Sequence, residues 1–262
     1  MVRSEYIRLV TLSLLLAAFG FGPAAGQADF PFRVELKPMA IEGLPGLHSF
    51  AHGQFAGKWI LIGGRTDGLH PRQPFNSFPQ AHNNTSIFIV DPVTRESWST
   101  SVNTLSSQIK EQLQSSNMEF YQEGEYLILV GGYAYSNSAG DHITFPNLTA
   151  VYLPGLIDDI LEGNPVNGHF QQIEEDLFAV TGGVLGKIGE TFQLVGGHRF
   201  DGRYNPMNMP TFVQEYTNAI RKFSLEVSED TIIVDQKSTL ADGVHLHRRD
   251  YNLLPQVMPD GS

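Results

Sequence analysis

The sequence predicts an all-β fold built from repeated four-stranded antiparallel units, on three observations. Charged residues make up only 17% of the 262 residues, whereas the chain holds 26 glycines and 15 prolines, a composition typical of turn-rich β proteins. Short apolar runs end in Gly-Gly three times, and a marker glycine precedes each run by a few residues. The markers are Gly57, Gly124 and Gly189, which stand 67 and 65 residues apart. A fixed period of this kind indicates a repeat architecture.

Each repeat contains segments for four short strands. The first precedes the marker glycine, the second ends in Gly-Gly, and the third lies over 86–92, 148–154 and 218–225. Fourth strands are expected over 169–175 and 231–237. One such sheet cannot cover both of its faces, so neighbouring units must cover them, as the blades of a β-propeller do. The Gly-Gly pairs are expected at the crowded centre, where a Cβ does not fit and positive φ is needed.

The repeats also set the expected domain organisation. After a signal peptide over 1–26 and an N-terminal segment over 27–43, a partial propeller is expected over 44–262. Its blades are expected at about 44–115, 116–178 and 179–240, with the first strand of a fourth in 241–262. Apolar spacing predicts short inter-blade helices over 104–116 and 155–164, the second one ended by Gly163-Asn164.

The first repeat resembles the kelch motif. It reads "KWILIGG" from Lys58 and "SIFIVDPVTRESWS" from Ser86, with Trp98 where kelch blades carry tryptophan. The later copies lack that tryptophan, and all are longer than the roughly 50 residues of a kelch repeat. The resemblance covers 44–262 and extends to secreted bacterial kelch-like proteins. It implies a kelch-type β-propeller, here of about three blades plus one strand.

The last repeat stops in mid-blade. Gly261 stands 72 residues after Gly189, in the marker position, and the sequence ends at Ser262. Closed propellers need at least four blades, so either the chain is a truncated product or partners complete the ring, and we expect truncation. Open sheet edges are then expected to favour association or aggregation.

The N-terminus reads as a secretory signal. Arg3 and Arg8 precede an apolar run over 9–21, which is short for a membrane span, and Ala24-Ala25-Gly26 fits a cleavage site. The alternative is an uncleaved anchor. We expect a secreted or periplasmic protein with no membrane insertion after signal removal.

Charge and cysteine content narrow the function further. The net charge of −11 disfavours nucleic acid and anionic membranes as partners. The chain has no cysteine, which removes disulfides and thiol chemistry. The histidine pairs His48/His52 and His245/His247 have no evident third ligand, so no metal and no cofactor are expected.

Polar and aromatic side chains follow each Gly-Gly, and equivalent units should place them on one face. Loops on a rigid scaffold are where such folds bind ligands. The candidate ligand-binding residues are Arg65, Asp67, His70, Tyr133, Tyr135, His198, Arg199, Asp201, Arg203, Tyr204, Arg248, Arg249 and Asp250. The alternative is structural: an arginine and an aspartate two residues apart also tie down a loop or bridge two blades.

These features favour a non-catalytic scaffold that binds protein or carbohydrate at the cell exterior. "GxSxG" is absent, and no Ser-His-Asp order can be assigned. Resemblance to kelch-like sialate mutarotases and epimerases implies the alternative, a sugar-modifying enzyme with an Arg/Asp-rich pit. A third alternative is a truncated product without function.

Overall fold

The structure is a computed structural model that describes residues 33–68, 76–205, 207, 211–228 and 231–254. The chain divides into two units, 1–39 and 40–262. In the first unit the described residues form neither helix nor strand. The predicted signal peptide, His70 and Gly261 lie outside the described residues. In the described part, no helix has the length and apolar character needed to cross a membrane.

The described residues of the second unit form three four-stranded antiparallel sheets, which confirms the predicted all-β class and four-stranded units. Sheet I consists of β1 (Ala51–Phe55), β2 (Lys58–Ile62), β3 (Ser86–Asp91) and β4 (Glu96–Ser101). Sheet II consists of β5 (Glu119–Glu123), β6 (Tyr126–Val130), β9 (Asn147–Tyr152) and β10 (Phe170–Glu174), with the hairpin β7 (Tyr133–Ser136) and β8 (Asp141–Thr144) inserted. Sheet III consists of β11 (Val184–Ile188), β12 (Thr191–Val195), β15 (Ala219–Val227) and β16 (Ile232–Ala241), with the hairpin β13 (His198–Gly202) and β14 (Phe212–Tyr216) inserted.

The sheets pack face to face through alternating side chains. On β6, Leu127 and Leu129 belong to the core between sheets I and II, whereas Ile128 and Val130 belong to the core between sheets II and III. All four are essentially buried. Since successive side chains of a strand point to opposite faces, a run of four apolar residues marks a sheet covered on both sides. Each such side chain stabilises the fold by roughly 1.5–3 kcal/mol through burial.

The Gly-Gly pairs lie where consecutive repeats meet. Their six φ angles are all positive, between 61° and 93°. A Cβ on Gly131 would overlap the carbonyl oxygen of Val180 in the next repeat, and one on Gly196 would overlap the ring of Tyr251. Backbone conformation and close approach therefore both require glycine, as the sequence predicts.

In the described part of the chain, two short α-helices lie between the strands, and both overlap the predicted ranges. They are α1 (Ser107–Leu113) and α2 (Leu153–Glu162). Gly163 ends α2 in the left-handed conformation with a φ of 76°, so the predicted stop signal is confirmed. Leu156 and Ile160 of α2 reach the core between sheets I and II.

The segments after the second and third Gly-Gly are hairpins, not the polar loops that the sequence predicts. The two hairpins contact each other through Thr144, whose hydroxyl donates to the Phe200 carbonyl at 2.8 Å and accepts from the Phe200 amide at 2.7 Å. Each hairpin pairs within its own insert, between the second and third strands of its sheet, so the pattern of the four-stranded unit does not reveal it.

The predicted first strand of a fourth blade is not observed as a strand in 242–254. A strand is defined by its ladder, and no second strand of a fourth sheet lies among the described residues. The segment still contacts the third repeat as its counterparts contact theirs. In each case the second glycine of the Gly-Gly donates to a carbonyl in the segment that leads into the next sheet or repeat: Gly64 to Ser115 at 2.8 Å, Gly132 to Val180 at 3.0 Å and Gly197 to Arg248 at 3.0 Å.

Candidate functional site

Four residues, one from each repeat, form a chain of backbone hydrogen bonds at the inner ends of the sheets. All four have a left-handed backbone, with φ between 53° and 67°. The amide of each donates to the carbonyl of the one before it, at 3.0, 3.5 and 2.6 Å. They are Ser49, Asn117, Gly182 and Asp250. We call this open arc of three hydrogen bonds the inner ring; it fixes the residues on either side of it at equivalent positions.

The residue that follows each Gly-Gly is held against this ring. It exchanges two backbone hydrogen bonds with the residue that precedes the ring residue, at distances of 2.9–3.1 Å. The three pairs are His48 with Arg65, Ser116 with Tyr133 and Thr181 with His198. Position in the repeat therefore places three of the predicted site residues at the inner ends of their sheets.

A cavity of about 90 Å³ lies beside the inner ring. Its aromatic walls are Phe78, Tyr133, Phe200 and Tyr204, and its polar lining is Asn117, Thr181, His198 and Arg249. These residues come from the inserts of all three repeats and from the segments that enter the second, third and fourth. Of the sequence-predicted site residues, the cavity brings together Tyr133, His198, Tyr204 and Arg249.

The aromatic walls are held rigidly by ring packing and by one hydroxyl. The Tyr133 ring meets Phe78 edge-on at 5.3 Å and Phe200 at 5.2 Å between centroids. Its hydroxyl donates to the Gly202 carbonyl at 2.7 Å and accepts from the Tyr204 amide at 3.0 Å. Burial raises the pKa of this hydroxyl, so it remains a neutral phenol. Tyr133 thereby ties the hairpin of sheet II to the hairpin of sheet III.

His198 supplies a neutral imidazole to the cavity. Its ring is buried, and Nδ1 lies 2.7 Å from the side-chain amide nitrogen of Gln214. Burial, together with the charge of Arg249, lowers the pKa of His198 to about 4. Within the described residues Nε2 has no hydrogen-bond partner. That nitrogen is therefore left for a ligand in the cavity.

Arg249 is the exposed cation of the cavity. Its side chain is 47% exposed, and its Nε lies 3.5 Å from the Asp250 carboxylate. In the part of the chain that the structure describes, its other guanidinium nitrogens have no partner. Five fixed donors suit a planar or anionic oxygen group.

The first predicted pair has a structural role. Arg65 is 3% exposed, and its guanidinium donates to Asp67 at 2.7 and 3.0 Å, to Asn83 at 2.7 Å and to the Pro79 carbonyl at 3.1 Å. It also lies 5.0 Å from the centre of the Phe78 ring. Arg65 and Asp67 thus tie the first insert together and support one wall of the cavity from behind.

The third repeat repeats this arrangement nearer the surface. Arg199 donates to the Asp201 carboxylate at 2.7 Å, and Asp201 also accepts from the Thr144 amide at 3.2 Å. Arg203 donates to the Ser77 carbonyl at 2.8 Å and so links the third insert to the first. These residues brace the inserts and do not line the cavity.

The other described residues among those predicted, Tyr135, Arg248 and Asp250, do not line the cavity. Tyr135 contacts the His142 ring at 5.3 Å, and Arg248 is exposed. Asp250 lines a neighbouring cavity of about 180 Å³ that shares Asn117 with the candidate site. No three His, Asp or Glu side chains converge as metal ligands in the described ranges.

Sequence reasoning missed four residues of the lining. Asn117 and Thr181 precede the first strands of their sheets. Only the equivalence of Asn117 to Asp250, and of Thr181 to Arg249, could have indicated them. Phe200 sits two residues after His198, on the same face of a hairpin strand that the sequence does not predict. Phe78 lies in the first insert with a φ of 50°, and its local sequence does not predict this left-handed conformation.

Comparison with known proteins gives a weak structural likeness. No protein-family model matches the chain, and no curated protein matches it. Among solved structures, the structure of YjhT superposes with a TM-score of 0.45 at 13% sequence identity. The match covers 68% of this chain and 53% of YjhT, so the chain spans about half the length of that protein. A likeness of this size does not assign the chain to a family.

Proposed function

We propose that the chain is part of a kelch-type β-propeller that binds a carbohydrate non-catalytically in the cavity beside the inner ring. Three sheets of four antiparallel strands and a hydrogen-bond chain with one residue per repeat support the propeller. A propeller places its inner strands around an axis, and equivalent residues would then meet there.

The observation that carries the binding proposal is the combination of aromatic walls with unused polar groups. Sugar rings offer C–H faces that pack on aromatic rings, and hydroxyls that bond to donors and acceptors at the edge. Tyr204 and Phe78 supply such walls, while Asn117, His198 and Arg249 supply the polar groups. The small volume suits one sugar ring inserted edge-on rather than an extended glycan buried along its length.

A glycan array followed by calorimetric titration of the best ligand tests this proposal. Arg249→Ala is expected to weaken binding by at least about tenfold, since a charge-assisted hydrogen bond is worth roughly 1.5–3 kcal/mol. Arg248→Ala is the matched control, because Arg248 is exposed and does not line the cavity. Equal losses in both variants, or no glycan bound at all, would contradict the proposal.

A second candidate function is sugar modification of the mutarotase or epimerase type. The observation that favours it is the neutral His198 beside Arg249, since an uncharged imidazole can exchange a proton with a sugar hydroxyl. NMR of anomerisation with wild type and His198→Asn tests it. A rate equal to the buffer rate in wild type removes this candidate and leaves the binding proposal intact.

We also propose that residues 1–26 direct the chain to the periplasm or the cell exterior. The charge and apolar pattern of that segment support this. Fractionation of expressing bacteria, with mass measurement of the product, tests it. An uncleaved chain retained in the cytoplasm would contradict it.

A further inference from the structure

Another cavity, of about 360 Å³, lies at the end of sheet II away from its Gly-Gly. Tyr126, the first residue of β6, lines it, whereas Gly131 follows the last residue of the same strand. A five-residue strand is about 15 Å long. This cavity is therefore separate from the candidate carbohydrate site, and its volume lies in the range of small-molecule sites.

Three rings form one side of the cavity. Tyr126 and Tyr152 are directly opposite each other on β6 and β9, with centroids 5.4 Å apart and planes at 47°. The His169 ring lies 6.4 Å from the Tyr152 ring. Asp159 on α2 holds His169 through Nε2 at 2.5 Å, and a Cβ on Gly155 would overlap the imidazole. The third ring is thereby fixed in place.

The charge of the cavity is negative. Glu125 lines it, and its exposed carboxylate has no hydrogen bond or ion pair with any described residue. No lysine or arginine is among the lining residues. The chain as a whole carries a net charge of −11. An anionic ligand would meet repulsion from both sources.

We propose that this cavity binds a small organic cation, of the quaternary or methylated ammonium class. Aromatic faces attract such cations through their quadrupoles, and a carboxylate at the edge adds a full charge. A hard metal ion fits less well, because it requires about six oxygen ligands and Glu125 offers one carboxylate. A neutral ligand would leave the Glu125 charge unused.

Titration of the full chain with choline, followed by NMR, tests the proposal. The comparison ligand is the neutral analogue of choline, in which carbon replaces the quaternary nitrogen. Choline is expected to bind at least about threefold more tightly, as a cation–π contact at an exposed site predicts. Shifts are expected in the Tyr126 and Tyr152 signals. Equal affinity for the two compounds, or no choline binding, would overturn it.

Two variants locate the contacts. Glu125→Gln is expected to weaken choline binding about three- to fivefold without altering the fold, since the side chain is exposed. Glu174→Gln is the matched control, because Glu174 is also exposed and lies outside the lining. Tyr152→Leu removes one ring and should weaken binding similarly. If Glu125→Gln and Tyr152→Leu both bind choline as wild type does, the site is wrong.

Discussion

Arg249 and His198 line the same cavity, and the charge of the arginine adds to burial in lowering the pKa of the imidazole to about 4. The two residues come from different repeats and stand 51 positions apart in the sequence. Because Gln214 occupies Nδ1, the remaining nitrogen meets any ligand as part of a neutral ring at pH 7. This relationship makes the electrostatics of the cavity testable without a known ligand.

Arg249→Ala is expected to raise the pKa of His198 towards its usual value. Removing the neighbouring positive charge lowers the cost of protonating the ring, while burial still opposes it. NMR titration of the His198 ring protons measures the shift. Arg248→Ala serves as control, since Arg248 is not among the causes of the shift. An unchanged pKa in Arg249→Ala would contradict the electrostatic account.

Stability is expected to fall as the pH is lowered from about 6.5 to about 4, in part through His198. In that window the unfolded chain binds a proton on this histidine that the folded chain does not. The contribution is complete above the unfolded-state pKa and declines as the pH drops towards the folded-state value. Urea unfolding at a series of pH values should show a shallower decline for His198→Asn, and parallel curves would refute the assignment.

Gly131→Ala is expected to destabilise the fold by about 2–4 kcal/mol, because it combines a left-handed backbone with a steric overlap. The φ of Gly131 is 65°, and its Cβ would collide with the Val180 carbonyl oxygen. Gly124→Ala is the matched control: its φ is 56°, but no atom lies within 4 Å of the added Cβ. It should cost only about 1–2 kcal/mol. Denaturant unfolding measures both, and equal losses would mean that close approach contributes nothing.

The sequence predicts the four-stranded units well because burial on both faces leaves a strong local pattern. The run Leu127 to Val130 and the glycines after it are enough to place β6 and its end. Gly163 likewise marks the end of α2 by its own backbone preference. Each of these signals is local and needs no knowledge of the neighbouring repeat.

The cavity is less predictable, because its walls depend on contacts between repeats. The sequence around Arg65, "GGRTDG", does not reveal that its guanidinium bonds to Asp67 and Asn83. The sequence around Arg249 does not reveal that Arg249 lines the cavity. The same holds for Thr144, whose partner Phe200 is 56 residues away. Hydrogen-bond partners at that separation follow from packing of the inserts, which a single sequence does not encode in its spacing.

Gln112→Ala is expected to destabilise the protein by about 2–3 kcal/mol, because it leaves several buried groups unpaired. The fully buried amide of Gln112 on α1 donates to the Asn147 carbonyl at 2.9 Å and accepts from the Thr149 hydroxyl at 2.6 Å. Gln108→Ala, on an exposed position of the same helix, should change stability by less than about 0.5 kcal/mol. Thermal or urea unfolding compares the two, and similar values would show that the buried network is not stabilising.

Tyr133→Phe is expected to loosen the contact between the two hairpins while keeping the ring in the cavity wall. The hydroxyl bridges the Gly202 carbonyl and the Tyr204 amide, so its removal breaks two hydrogen bonds, at a cost of about 1–3 kcal/mol. Hydrogen exchange at the Tyr204 amide should accelerate more than exchange in β6. Tyr135→Phe is the control, because no described hydrogen bond involves the Tyr135 hydroxyl. If Tyr204 exchanges equally fast in wild type and Tyr133→Phe, the hydroxyl does not hold the third insert, and the rigidity of the cavity wall must come from ring packing alone.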